Sequence, residues 1–249
     1  MGMNRAEVRS YYAGIGDALI RHATGRPVTV AAASGSILGV ERIDTTRDLD
    51  DVARRGGVSL SAALPDAPQM SPIRCALHVV AGEGTGISTA ATAALALCES
   101  ITRDHLTAVV ITDGHDGLYV LGIAAGVAAG AGSPGPAPDG WLAASGYAEE
   151  LARRAPEIAT VDPRQADGRA LVDASPSWPG NLIPIPYSLV PADPASGGGY
   201  GAVIPLDLDE VAAVTAGMPL DPRPLDVTGR LAARGDLAAG LLGPGAGPA

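Results

Sequence analysis

The stretch from Cys75 to Cys98 constrains this chain more than any other. "CALHVVAGEGTG" is an apolar run that ends in a glycine-rich turn, and "ISTAATAALALC" carries it on as a helix of small residues. A strand that turns through glycines straight into a helix belongs to a protein that mixes both element types. Turns of this kind hold phosphates on free backbone N–H groups, or stand beside metal-binding carboxylates. Here the strand offers no carboxylate, and a single histidine, His78, interrupts it. "GEGTG" is no Walker loop, because no lysine follows, and its third glycine falls one place early for a dinucleotide fingerprint. It reads either as a structural turn or as a residual anion site.

The rest of the chain supplies alternating helix and strand signals. "NRAEVRSYYAGIGDALIRH" opens with Asn4 and Glu7 spaced as a capping box, and Val8, Tyr11, Ile15 and Leu19 share one helical face. Of the adjacent Tyr11 and Tyr12, one ring is expected inside and one at the surface. "RPVTVAAA" and "ILGVERI" read as paired strands, and "TTRDLDDVARRGG" as a short helix capped at Thr46 and stopped at Gly56. Strands over 58–64 and 73–80 bracket a proline-bounded loop, 65–72. After the helix that ends at Arg103, "LTAVVITDG" and "GLYVLGIAAG" form a hairpin about "DGHDG", ordinary turn chemistry that could also hold a metal or a base at Asp113 or His115. A proline- and glycine-rich insert near 131–140 leads into an amphipathic helix over 141–156. "IATVD" and "RALVDAS" are short strands, and the prolines of "NLIPIPYSLVP" suit a sheet edge. Asp207 and Glu210 frame another capping box, with Gly217 as the stop, and 226–242 reads as one last helix before a disordered tail, 243–249. His22 and His105 lie near helix ends and read as capping or surface groups.

Charge bears on function. The chain carries 17 Lys+Arg against 27 Asp+Glu, a net charge of −10. Nucleic-acid affinity comes largely from basic residues that neutralise phosphates, so the average field repels DNA, and no stretch shows a basic cluster. The strongest, "ARRG" and "ARRAP", read as solvated helix ends. The two cysteines lack C-x-x-C spacing and read as small buried hydrophobes; with no signal peptide in sight, a reducing cytoplasm is expected. The longest apolar run, 118–132, is too short and glycine-broken to span a membrane.

The order of these segments resembles the polymerase domain of bacterial DNA ligase D, a primase-polymerase fold of non-homologous end joining. The likeness runs from about residue 5 to 242. It rests on "RAEVRSYYAGIGDALIRHATGRPVTV", "TDGHDGLYV", "GRALVDASPSWPGNLIPIPYSLVP", "PLDLDEV" and "LAARGDLAAGLL" in that order. The resemblance implies one α+β domain over 1–242, with mixed and antiparallel sheets flanked by helices.

It also implies where a site would lie. The family's strand before the glycine loop carries two aspartates one residue apart, which bind the divalent metals that align nucleotide and primer. Those positions here are His78 and Val80, on one face of the strand. A valine ligates nothing, and one imidazole is a poor substitute for two carboxylates toward Mg²⁺ or Mn²⁺. The third carboxylate is kept as Asp173. The family's "P-Y-S-x-R" is matched by Pro186, Tyr187 and Ser188, but Val190 stands at the arginine that grips triphosphate. In the hairpin, Asp116 stands at a lysine and Tyr119 at a phosphate-binding histidine. The motifs that hold template and 5′ phosphate have no counterpart in 31–46.

The reading is therefore a ligase-D-polymerase-like protein that has lost polymerase chemistry, needs no metal or cofactor, and has an accessory role in a DNA-repair or phage-related setting, binding a protein partner or, weakly, a nucleotide. The alternative is a nucleotide-processing enzyme that uses Mn²⁺ or Mg²⁺, with a rebuilt site around His78 and Asp173, or ligands recruited elsewhere, such as Glu83. Residual nucleotide contacts would fall at Gly84, Thr85, Gly114 and Ser188. His78 also reads simply as a satisfied strand residue, and Asp173 as a hydrogen-bonding relic.

Overall fold

In a computed structural model, residues 3–64, 73–124, 140–192, 199–220 and 224–242 are described. The expected loop at 65–72, all but the end of the 131–140 insert, and the tail lie outside them. Helix α1 (Arg5–Ala23) leads into strands β1 (Val28–Ala32) and β2 (Ile37–Glu41), helix α2 (Thr46–Arg54) and strand β3 (Gly57–Ala63). Strand β4 (Ile73–Ala81), helix α3 (Ile87–Arg103), and strands β5 (Leu106–Thr112) and β6 (Gly117–Ala124) form the middle, followed by helix α4 (Gly140–Arg154). Short strands β7 (Ala159–Thr160), β8 (Ala170–Asp173), β9 (Leu182–Pro184), β10 (Leu189–Pro191), β11 (Tyr200–Ala202) and β12 (Pro205–Leu206) come next, then helices α5 (Leu208–Thr215) and α6 (Val227–Arg234).

The strands form a six-stranded sheet ordered β12-β5-β6-β4-β8-β7, a four-stranded sheet ordered β2-β1-β3-β9, and a β10-β11 ribbon. All described pairings are antiparallel except β7 with β8, so the molecule is α+β rather than doubly wound. Alternation along β4 sorts the core. Leu77 and Val79 join the main cluster under α3 and α4, while Ala76 faces a smaller cluster with Ile111, Leu121, Ile183 and Val203. His78 and Val80 share that second face. Helix α3 lies close on the sheet because Ala90, Ala91, Ala93 and Ala94 are small and fully buried. Burying Leu97 among them contributes about 1.5–3 kcal/mol.

Local signals explain most boundaries. The capping boxes at Asn4–Glu7 and Asp207–Glu210 are formed. The α2 cap is Thr45 rather than Thr46, because Thr45 hydroxyl and Asp48 carboxylate can satisfy each other's backbone N–H only at that spacing. The last helix is also shorter than expected. Gly235 takes φ 69°, a left-handed conformation that stops α6 at Arg234, and the chain resumes only as a 3₁₀ turn at Ala239–Leu241. Both Tyr11 and Tyr12 are buried, with Tyr11 hydroxyl donating to Tyr187 O at 2.8 Å and Tyr12 hydroxyl to Val58 O. Neither ring lies at the surface: α1 packs against α2, and both hydroxyls reach inward, Tyr11 to the backbone at Tyr187 and Tyr12 to β3. His105 is an exposed left-handed residue (φ 62°) just past α3. His22 differs from expectation: it is buried, and its Nε2 lies 3.0 Å from Asp236 Oδ2.

Candidate functional site

The face of the sheet that carries His78 is assembled from three neighbouring strands. Pairing places His78 directly opposite Tyr119 on β6 and opposite Asp173 on β8. The imidazole stacks on the Tyr119 ring, with centroids 4.4 Å apart and planes at 14°. Its Nε2 contacts Asp113 Oδ2 at 3.0 Å. Asp113 closes the β5–β6 turn, and its Oδ1 accepts from the backbone N–H of His115 at 2.7 Å and of Gly117 at 3.1 Å. Burial alone would raise this carboxyl; the His78 hydrogen bond and the two amides outweigh it and hold Asp113 below the ordinary carboxylate value. Burial, with the nearby carboxylates of Asp113 and Asp173, pushes the Tyr119 phenol up to about 12.

Gly117 makes the arrangement possible. A Cβ there would strike the Asp113 carboxylate and come within 2.8 Å of Val80 Cγ1. Val80, paired opposite Gly117, thus fills the space beside the His78–Asp113 pair with methyl groups. Asp173 is near in register yet turned aside: Oδ1 accepts from Ser175 N at 2.8 Å and Oδ2 from Ser175 Oγ at 2.6 Å. Of the residues expected around His78, Asp173 lies opposite it in register, while the hydrogen bond of the imidazole goes to Asp113, 35 positions away. Spacing along the chain carries no signal for that contact; only the register of β4, β5 and β6 creates it.

Mg²⁺ and Mn²⁺ take oxygen ligands, several at once. The donors on this face are one imidazole already tied to Asp113, a carboxylate held by two amides, and a carboxylate held by Ser175. Among the described residues no three His, Cys, Asp or Glu side chains converge as a ligand set. These residues do not fit a pair of divalent cations.

The other candidate positions have structural employment. Gly82 lets the loop approach 166–169 closely: a Cβ there would meet Ala166 O and, at 2.5 Å, Arg169 O, and its N–H donates to Arg169 O at 2.8 Å. Gly84 takes φ 76° in open space, and Thr85 hydroxyl donates to Gly82 O at 2.7 Å. Gly86 caps α3 without a side chain, and Glu83 is exposed. Gly114 is buried; a Cβ on it would lie 2.8 Å from Val190 Cβ, and its carbonyl backs onto Gly201. The side chain at the family's arginine position therefore packs against the hairpin turn. Ser188 is fully buried, its Oγ accepting from Leu60 N at 2.8 Å and donating to Leu189 O at 3.1 Å.

Tertiary folding also gathers arginines that the sequence scatters. Arg5, Arg9, Arg54 and Arg55, with Ala6 and Asp51, line an open groove of about 950 Å³ between α1 and α2. Acids neutralise much of it: Arg9 meets Asp50 at 2.8 Å, Arg55 meets Glu41 at 2.6 Å, and Arg54 bridges Asp50 and Asp51. No described helix is long and apolar enough to cross a membrane. Cys75 and Cys98 are buried free thiols, pushed up by burial to about 11 and about 12.

No family model and no curated protein matches the chain. Among solved structures it is similar to the polymerase domain of Mycobacterium tuberculosis ligase D, which was solved in complex with DNA. The TM-score is 0.76 at 18% identity, over 96% of this chain and 92% of that one. The fold is that of the ligase D polymerase domain.

Proposed function

We propose that this protein is a ligase-D-polymerase-like fold that no longer performs templated nucleotide addition. It acts as an accessory factor of DNA end joining, in a reducing cytoplasm, through a protein partner and without a divalent cation. One observation carries the reading: the strand face that would need paired carboxylates presents His78 and Val80, with His78 tied to Asp113. The packing of Val190 on Gly114, where a triphosphate grip would be needed, points the same way. The net charge of −10 and the acid-matched arginine groove argue against DNA as the main ligand.

A second reading, an enzyme of altered chemistry on a nucleotide-like molecule, is favoured by the His78–Asp113 pair itself. A half-buried imidazole oriented by an anchored carboxylate has the form of a general base and its orienting acid. Metal titration separates the two: the first reading expects no Mn²⁺ or Zn²⁺ binding by the purified chain, and a tight site lost in His78→Ala or Asp173→Ala supports the second. Primer extension with Mn²⁺ tests the first reading by itself, and clear nucleotide incorporation by the purified chain overturns it.

A further inference from the structure

Residues 224–242 are fastened to the rest of the molecule by charge. Beyond α6, the described backbone hydrogen bonds of this segment stay inside it: Gly235 N to Leu231 O, Ala239 N to Asp236 O, Leu241 N to Ala238 O and Leu242 N to Ala239 O. Among the described residues, none joins it to a strand or helix of the body. Its apolar anchorage is thin, with Val227 and Ala238 buried and Leu231 and Leu241 only partly so. Two ionic clasps hold it instead. The outer one joins α6 to the start of α5: Arg230 grips both Glu210 oxygens and donates to Pro205 O at 2.9 Å, and Arg234 meets Asp207 at 2.8 Å and Glu210 at 2.7 Å. The inner one is Asp236, held by Arg21 and His22 of α1 and by the Tyr187 hydroxyl.

Past Asp236 the segment lies on the large sheet. A Cβ at Gly240 would come within 2.9 Å of Ile123 Cδ1 and 3.9 Å of Val109 Cγ2, and Leu241 packs on the cluster that Tyr119 and Val190 also join. Tyr119, Leu121 and Ile123 alternate along one face of β6, so the turn covers the far end of the face that carries His78 at its near end. We infer that residues 224–242 form an ion-held strap that opens as a unit, ahead of the rest of the fold, and bares Ile123 and Val109 when its clasps loosen. The fastenings differ in kind. The six-stranded sheet and α3 are locked by backbone ladders and a full apolar core, which charge screening does not reach. Opening the strap breaks no described ladder bond and few apolar contacts, the marks of a unit of low local stability. Its outer clasp is part-exposed and weakens with salt, whereas the buried Asp236 is screened much less. Opening of the strap is independent of whether His78 has any chemistry.

Native-state hydrogen exchange on the full chain, read by mass spectrometry, tests this. Amides of the strap are expected to exchange faster than those of α3, and faster still as sodium chloride rises, while α3 stays unchanged. Asp236→Asn is expected to speed the strap about tenfold or more, and Arg234→Gln to speed it less, again without moving α3. Exchange of strap and α3 as one unit overturns the proposal. So does equal acceleration of both by Asp236→Asn, or indifference of the strap to salt or to Asp236→Asn. Thiol labelling of an Ile123→Cys chain reads the uncovering, with the buried Cys75 and Cys98 as slow references. Labelling that keeps pace with strap exchange supports the proposal, and a site that stays closed while the amides open overturns it.

Discussion

At the residue scale, the molecule turns on a glycine. Gly117 gives room for the Asp113 carboxylate and Val80 to share one spot. Gly117→Ala is expected to destabilise by about 1–3 kcal/mol through overpacking, read as a lower denaturant midpoint at constant slope. Asp113→Ala strips an acceptor from two backbone amides and from His78. Leaving part-buried donors unmet costs about 1–3 kcal/mol, and amide exchange at His115 and Gly117 should quicken with it. Asp173 illustrates the limit of spacing arguments. Its identity as the third carboxylate is implied by the resemblance, but its place across from His78 comes from strand register, and whether its oxygens face a cleft or a neighbouring serine depends on the turn that follows.

At the element scale, hydrogen-bonding logic close in sequence was readable. Asn4 and Glu7, and Asp207 and Glu210, mark their helix starts because each box satisfies two backbone donors within four residues. Asn4→Ala is expected to cost about 1 kcal/mol, measured by thermal or denaturant unfolding. The hairpin about 113–117 was readable for the same reason. The break at Gly235 was not: "LAARGDLAAGLL" keeps a helical apolar rhythm, and the chain leaves the helix there because Asp236 is pulled into the core.

That pull operates at the scale of the whole molecule. Asp236, with a side chain 4% exposed, meets His22 at 3.0 Å and Arg21 at 3.4 Å, and accepts from Tyr187 hydroxyl at 2.7 Å and Ala238 N at 3.0 Å. It joins the end of α1, the Pro-Tyr-Ser segment and the C-terminal turn. Asp236→Ala is expected to cost about 3–5 kcal/mol, since it leaves a buried cluster without its anion. Asp236→Asn, closer in shape, should cost less. Burial would raise Asp236, but His22, Tyr187 hydroxyl and the amide of Ala238 outweigh it, and its folded value, like that of Asp113, lies below the ordinary one. A depressed carboxyl contributes stability that is complete above its unfolded value, near 4, and is lost as pH falls through the lower folded value. The melting temperature should therefore drop on the acid side of about pH 4, and drop less steeply in Asp236→Asn.

What the sequence determined alone is what short range decides: the capped helices, the turn glycines, the alternation that puts His78 and Val80 on one face, and an order of segments that resembles a ligase D polymerase. The caps, the turns and the alternation each depend on residues within one turn or one strand of each other, and the resemblance on the order in which such local signals follow one another. The partner of His78, the burial of His22, the gathering of Arg5, Arg9, Arg54 and Arg55, and the turning of Asp173 toward Ser175 were decided only by tertiary structure. Each is a contact between side chains whose meeting depends on strand register or helix packing, and neither is written in local spacing.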